Sequence, residues 1–407
     1  MLNQYQKQTL PFKEFIGLMA MMMSLVALSI DSILPALESI GTSMGNTNSN
    51  DNQLMIAFFM VGLACGQLVF GPWSDSVGRR KAMLVGLSIF FTGSVLAIYS
   101  TDYNTILFSR FLQGIGVSAP RVLSMTIIRD LFQGRPMAKV MSFVSMIFVF
   151  VPMLAPMMGQ AVLTLFNWRA IFIFIGLFGL VLLSWYLIRQ AETLDPNDRT
   201  DFTWQRVKQG LNAVFKNPVV IGYTLASGFI FGPFLFFLSS SPQLFQVQYE
   251  LAENFPYYFA GISSVLGGAA LFNGKKVMKH GMRKMASRAL MVLASASCLF
   301  ACITFYFNGL PPLWLLTVYM VILFVCIGLT SGNLTSLSMQ PLGKMAGIGA
   351  AIIGFLSTFI SVIIAVVIGR FYNETTYPLT LGFMVAAILS LLLFKWIAAK
   401  ELKTSEV

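Results

Sequence analysis

Three charged side chains stand inside long apolar runs of this 407-residue chain: Asp31, Arg110 and Arg121. An ionised group near the centre of a bilayer costs several kcal/mol, so each marks work that needs a charge. Asp31 lies six residues before the outer end of its run and Arg110 five or six residues into another, which puts both about 9 Å deep at 1.5 Å per residue. An acid and an arginine at one depth can neutralise each other, and an acid that takes up a proton can couple movement to a proton gradient. Arg121 follows Arg110 by eleven residues, close to three helical turns, so the two arginines are expected on one face lining a polar cavity. A second reading stays open for Arg121, in which it snorkels or bonds backbone carbonyls.

These groups require membrane-crossing elements to hold them. The chain is 57% hydrophobic and 11% charged, whereas a soluble domain carries about a quarter charged residues. That composition excludes a soluble protein. Four cysteines are too few for a disulfide scaffold, and unbroken apolar runs do not fit an outer-membrane barrel, whose strands alternate. The runs predict twelve spans: 15–37, 53–72, 82–100, 105–128, 140–165, 168–188, 217–239, 256–273, 286–307, 312–338, 345–369 and 378–398. The eighth is the weakest, interrupted by Gly261, Gly267, Gly268 and Gly274.

The expected fold is therefore an all-α integral membrane protein of twelve transmembrane helices in two pseudo-symmetric six-helix bundles. Residues 1–188 form the N-terminal bundle, 189–216 a charged cytoplasmic linker, and 217–407 the C-terminal bundle. With both termini in the cytoplasm, nearly all Lys and Arg outside the spans face inward, and only Arg169 and Arg370 fall at outer helix ends. The net charge of +11 thus reads as multi-pass membrane topology rather than as nucleic-acid binding. The first span is long, contains Asp31 and lacks a clear cleavage site, so it reads as a retained helix rather than a leader.

Catalysis is not expected. His280 is the sole histidine and lies in a basic loop, and Cys65, Cys298, Cys302 and Cys326 fall inside predicted helices as small apolar residues. Neither a nucleophile and base pair nor a metal cluster is in view, so the chain reads as a non-enzyme without cofactor. Spans seven to twelve contain no internal charge and offer instead Phe231 and Phe234, among other aromatics, and Asn333. With Arg121 and Gln113 these are the candidate walls of a substrate cavity, while proton or ion chemistry belongs to the N-terminal half.

Between spans two and three the sequence runs Gly71-Pro72-Trp73-Ser74-Asp75-Ser76-Val77-Gly78-Arg79-Arg80-Lys81. Glycines permit close packing and a tight turn, and the cations hold the loop on one side. A degraded copy, Gly274 to Lys284, follows span eight, with Met278 where the acid would be. This loop resembles the G-x-x-x-D-x-x-G-R-[RK] motif of the major facilitator superfamily. The resemblance implies gating by Gly71, Asp75, Gly78, Arg79 and Arg80, with Arg79 paired to Asp130 and Asp75 facing the start of span eleven near Lys344.

Two further segments sharpen the resemblance. Arg110-Phe111-Leu112-Gln113-Gly114-Ile115-Gly116 resembles the fourth-span motif of proton-coupled members, and Ala155-Pro156-Met157-Met158-Gly159 the antiporter motif of the fifth, as in the bicyclomycin and chloramphenicol resistance branch. Asp31-Ser32-Ile33-Leu34-Pro35, Trp168-Arg169-Ala170, Glu192-Thr193-Leu194 and Ser240-Ser241-Pro242 agree with that branch. The chain is thus similar to Bcr/CflA drug:proton antiporters. That implies proton coupling through Asp31 and Arg110, a bend at Pro156 and Gly159, a small-molecule substrate with protons as partners, no nucleic acid, and function as a monomer. Arg121 departs from the branch, where small or apolar residues are usual. Two alternatives stay open: a dedicated exporter of an endogenous anionic or zwitterionic metabolite such as a siderophore, and a transporter-like sensor that moves nothing.

Overall fold

The computed structural model describes residues 10–46, 48–132 and 134–405. It is helical throughout, with no strand among the described residues. The helices are α1 (Phe12–Asp31), α2 (Leu37–Ser43), α3 (Leu54–Val77), α4 (Arg79–Ile98), α5 (Tyr103–Leu131), α6 (Gly134–Leu165), α7 (Trp168–Arg189), α8 (Trp204–Lys216), α9 (Pro218–Pro242), α10 (Phe255–His280), α11 (Met282–Tyr306), α12 (Leu313–Met339), α13 (Ala346–Arg370) and α14 (Tyr377–Ser405). Among the described residues eleven helices are long and apolar enough to cross a membrane, and α6 contributes a shorter apolar stretch, Phe150–Leu165, at the place of the fifth expected span. Backbone groups in lipid must bond internally, which is why long apolar runs become helices.

The chain divides into two compact units, with the boundary after Val207, inside α8. In the first, glycines set the helix spacing. A Cβ on Gly114 would lie 2.0 Å from the Phe59 carbonyl oxygen of α3, and one on Gly116 would lie 2.3 Å from the Phe90 nitrogen of α4. Two residues apart on α5, they face opposite ways and let it sit wedged between both neighbours. Asp102 caps α5, accepting from the Thr105 hydroxyl and backbone N–H at 2.6 and 2.8 Å. The Thr105 hydroxyl, more than the backbone, holds that carboxyl below the usual aspartate range.

In the second unit the aromatic residues of α9 turn mainly inward. Phe236 and Phe237 are buried, and Phe237 packs on Phe259 of α10 and Phe324 of α12, with ring centroids 6.2 and 5.6 Å away. The weak eighth span is one continuous helix, α10. Gly261, Gly268 and Gly274 meet nothing within 4 Å of an added Cβ, so its glycines interrupt the hydropathy and not the backbone. The short segment Asn48–Gln53 also belongs to this unit: Asp51 pairs with Arg370 at 3.0 Å, and Asn50 Nδ2 donates to the Tyr372 carbonyl at 2.9 Å.

Both copies of the loop motif are tighter than loops. The helix α3 continues to Val77 and α4 starts at Arg79, leaving Gly78 alone at φ 98° and ψ 154°; α10 and α11 meet likewise at Gly281, with φ 78° and ψ 143°. An L residue rarely adopts that conformation, so one glycine makes the whole reversal. Gly78 and Gly281 are 203 residues apart, and the internal repeat survives in backbone geometry where the acid of the second copy is lost.

Candidate functional site

Arg110 is fully buried in the first unit and spends its donors on three helices. Nη2 donates to the Ser29 carbonyl of α1 at 2.9 Å, Nε to the Met55 carbonyl of α3 at 3.4 Å, and Nη1 to Gln113 Oε1 at 2.6 Å. Gln113 Nε2 in turn donates to Ser94 Oγ of α4 at 2.9 Å. The guanidinium stacks over Phe59 with 4.4 Å to the ring centroid and stands 6.0 Å from the Phe172 centroid of α7. Ser29 lies in the last turn of α1, where carbonyls lack helical partners and the dipole presents negative charge. Carbonyl oxygens and aromatic faces thus accommodate a cation that has no carboxylate partner among the described residues.

Asp31 closes the same helix and is 4% exposed. Its carboxylate makes no hydrogen bond or ion pair among the described residues. Expected to neutralise Arg110, it does not: the arginine's donors are taken by Ser29, Met55 and Gln113. Asp31 instead lies one residue from the tightest contact between α1 and α6. A Cβ on Gly159 would lie 1.9 Å from the Ser32 carbonyl oxygen, so α6 rests directly on the α1 backbone. Pro156, one turn earlier, is buried in α6 and removes a helical hydrogen bond there.

Arg121 is exposed, unlike Arg110, and makes no hydrogen bond or ion pair among the described residues. The expectation that both arginines line one cavity is corrected accordingly: only Arg121 presents its charge. Gln113 and Asn333 were expected on a cavity wall, yet both are buried in closed amide networks. Asn333 Nδ2 donates to Asn273 Oδ1 of α10 at 2.8 Å and to the Leu329 carbonyl at 2.7 Å. Phe231 and Phe234 are half-buried, with Phe231 edge-on to Phe234 at 5.9 Å and Phe234 edge-on to Phe324 at 5.6 Å.

At the other end of the first unit, Arg79 is 5% exposed and gathers the motif residues. Nε donates to Asp130 Oδ2 at 3.1 Å, the pairing the motif implies. Nη1 donates to Ser74 Oγ at 2.7 Å and to Asp75, and Ser74 Oγ donates to the Gly71 carbonyl at 2.8 Å. Thr193 Oγ1 donates to the same Asp130 oxygen at 3.1 Å. Asp75 therefore pairs with its own loop arginine; the side chain of Lys344, its expected neighbour, lies outside the described residues. Arg80 is exposed and reaches the Leu187 carbonyl at 2.5 Å.

Residues 18–365 match the Major Facilitator Superfamily. The chain belongs to this superfamily. Within it, the chain is 30% identical over 397 residues to an uncharacterized MFS-type transporter, YdgK, of Bacillus subtilis, covering 96% of each. It is 26% identical to the bicyclomycin resistance protein homolog of Haemophilus influenzae, covering 99% of this chain and 100% of that one, and 27% identical to the multidrug resistance protein MdtL of Shigella flexneri, covering 91% and 92%. Of solved structures, the human organic anion transporter MFSD10 superposes with a TM-score of 0.71 at 18% identity, covering 95% of this chain and 99% of that chain. A D-xylose-proton symporter superposes with a TM-score of 0.76 at 15% identity, covering 93% and 97%.

The superfamily fold makes the chain a multi-pass membrane transporter and not an enzyme. One residue of its motif-bearing end was not singled out from sequence. Glu192, beyond α7, accepts the Arg79 and Arg80 backbone N–H groups at 2.9 and 3.0 Å, and its Oε2 would lie 2.5 Å from a Cβ on Gly78. The Glu192-Thr193-Leu194 segment marked it by resemblance only. Asn273, partner of Asn333, carried no signal, being one amide in a polar helix end.

Proposed function

We propose that this transporter is a proton-coupled antiporter that exports small organic compounds across the bacterial inner membrane by alternating access, as a monomer with both termini cytoplasmic. The observation that carries the reading is Asp31: a buried carboxylate without a partner among the described residues, one residue from the contact of Gly159 on Ser32. A buried ionised carboxylate demands water or a cation, whereas its protonated form does not. Uptake of a proton from outside and its release inside would change what Asp31 requires of its surroundings. The α1–α6 contact has no slack to absorb that change, so it passes to α6 near Pro156, where a helical hydrogen bond is missing. Arg110, tied to α1 and α3 and linked to α4 through Gln113, keeps the remaining helices in place. The names of the bicyclomycin and multidrug resistance relatives support foreign compounds as cargo.

A second reading, a dedicated exporter of an endogenous anionic or zwitterionic metabolite, draws on the exposed Arg121, unpartnered among the described residues. Efflux of a panel of neutral, cationic and anionic compounds from a transport-deficient host, with and without a protonophore, tests both. Protonophore-sensitive export of several unrelated compounds supports the first; export of one anionic class, lost in Arg121→Ala, supports the second; no export overturns both.

A further inference from the structure

The helix α8 presents a face that its packing leaves uncovered. Val207 and Val214 are 3% and 0% exposed, and a Cβ on Gly210 would lie 2.5 Å from Ile348 Cγ2 and 2.7 Å from Ile352 Cδ1. At Gly210, α8 thus lies against the first turns of the membrane-crossing stretch Ile348–Arg370. The C-terminus of α8 at Lys216 is separated from the crossing helix α9 by Asn217 alone. The helix thus lies level with the ends of two membrane spans. Beside the buried stripe, Trp204 and Phe215 are 66% and 57% exposed; eleven residues apart, they fall about 20° from one line along the helix. Lys208 and Lys216 are exposed on the same side of the helix, and residues 202–217 contain no acid.

We propose that this edge of α8 is a phospholipid site, in which Trp204 and Phe215 enter the headgroup layer of the adjoining leaflet and Lys208 and Lys216 hold anionic headgroups. Indole and phenyl rings favour the boundary between acyl chains and headgroups. A pair of lysines free of neighbouring acids at that level attracts anionic lipid. Charge complementarity and continuity with the membrane select lipid over a soluble partner. The inference needs the membrane-spanning fold and not the export reading.

The test uses the full chain in nanodiscs of phosphatidylcholine and phosphatidylglycerol, with bromine placed on the acyl chains near the headgroups. The emission of Trp204 is the difference between the wild-type protein and Trp204→Phe, which retains the aromatic packing. Brominated phosphatidylglycerol is expected to remove most of that difference. The double variant Lys208→Gln, Lys216→Gln is expected to restore it, with unchanged helix content by circular dichroism. Trp204 emission indifferent to bromolipid overturns the proposal, as does equal quenching with and without the two lysines. A doubled protein mass with unquenched Trp204 would assign the face to a second copy and overturn it as well.

Discussion

Glu192 closes the N-terminus of a helix more than a hundred residues before it. Its Oε1 takes the Arg79 N–H at 2.9 Å and its Oε2 the Arg80 N–H at 3.0 Å, while Oε1 also accepts from the Thr193 and Leu194 backbone at 3.0 and 3.1 Å. Four orphan donors and the positive end of α4 converge on one carboxylate. The end of the first six-helix bundle is thereby stapled to the turn between its second and third spans, the turn that also carries the Arg79–Asp130 pair.

The Gly78 turn and the Glu192 cap are expected to act as one unit. Gly78→Ala places a side chain at φ 98°, a conformation that costs about 1–3 kcal/mol, and drives Cβ into the Glu192 carboxylate. Glu192→Ala removes a cap worth about 1 kcal/mol. Because the alanine at 78 already displaces the carboxylate, the double variant is expected to lose less than the sum of the singles, by about 0.5 kcal/mol or more. Thermal melting of the four proteins in detergent reads the coupling; strict additivity would separate the two residues.

Much of the fold is legible in the chain because apolar length and glycine spacing act locally. The eleven long apolar helices, the shorter apolar stretch of α6 and the repeat at 78 and 281 follow from them. The site is less so. Depth along a helix put Asp31 and Arg110 at one level, but depth does not report azimuth or competing acceptors, and the end of α1 offers a carbonyl that the arginine takes instead. Gln113 and Asn333 misled for a related reason: a polar residue in a span serves a cavity or another polar residue, and its partner, Ser94 or Asn273, is chosen by tertiary packing. Glu192 was hidden because a cap supplied from a distant segment leaves no local pattern.

Gln113 is expected to matter for stability rather than cargo selection. Gln113→Leu removes the acceptor of Arg110 Nη1 and the donor to Ser94, and leaving buried polar groups unmatched costs about 1–3 kcal/mol, more where one is charged. The expected outcome is a lowered melting temperature with an unchanged ranking of exported compounds. A changed ranking at unchanged stability would return Gln113 to a substrate wall.

Two glycine-to-alanine changes are expected to act in opposite directions. Gly159→Ala forces α6 away from the Ser32 carbonyl and should sharply reduce coupled transport. Gly261→Ala, in the open interior of α10, should leave transport intact and raise stability by up to about 1 kcal/mol through helix propensity. Transport counted per folded protein, alongside melting curves, distinguishes them. Equal effects would mean that the α1–α6 contact has no special role.

Whether Asp31 carries the coupled proton is decided by Asp31→Asn. Purified wild-type and variant proteins, matched in melting behaviour, are placed in proteoliposomes with a transported compound and an imposed pH gradient. Wild-type substrate movement is expected to follow the gradient, and the variant to lose gradient-driven movement and substrate-induced proton flux together. Gradient-driven accumulation by Asp31→Asn at the wild-type rate would contradict that role for Asp31.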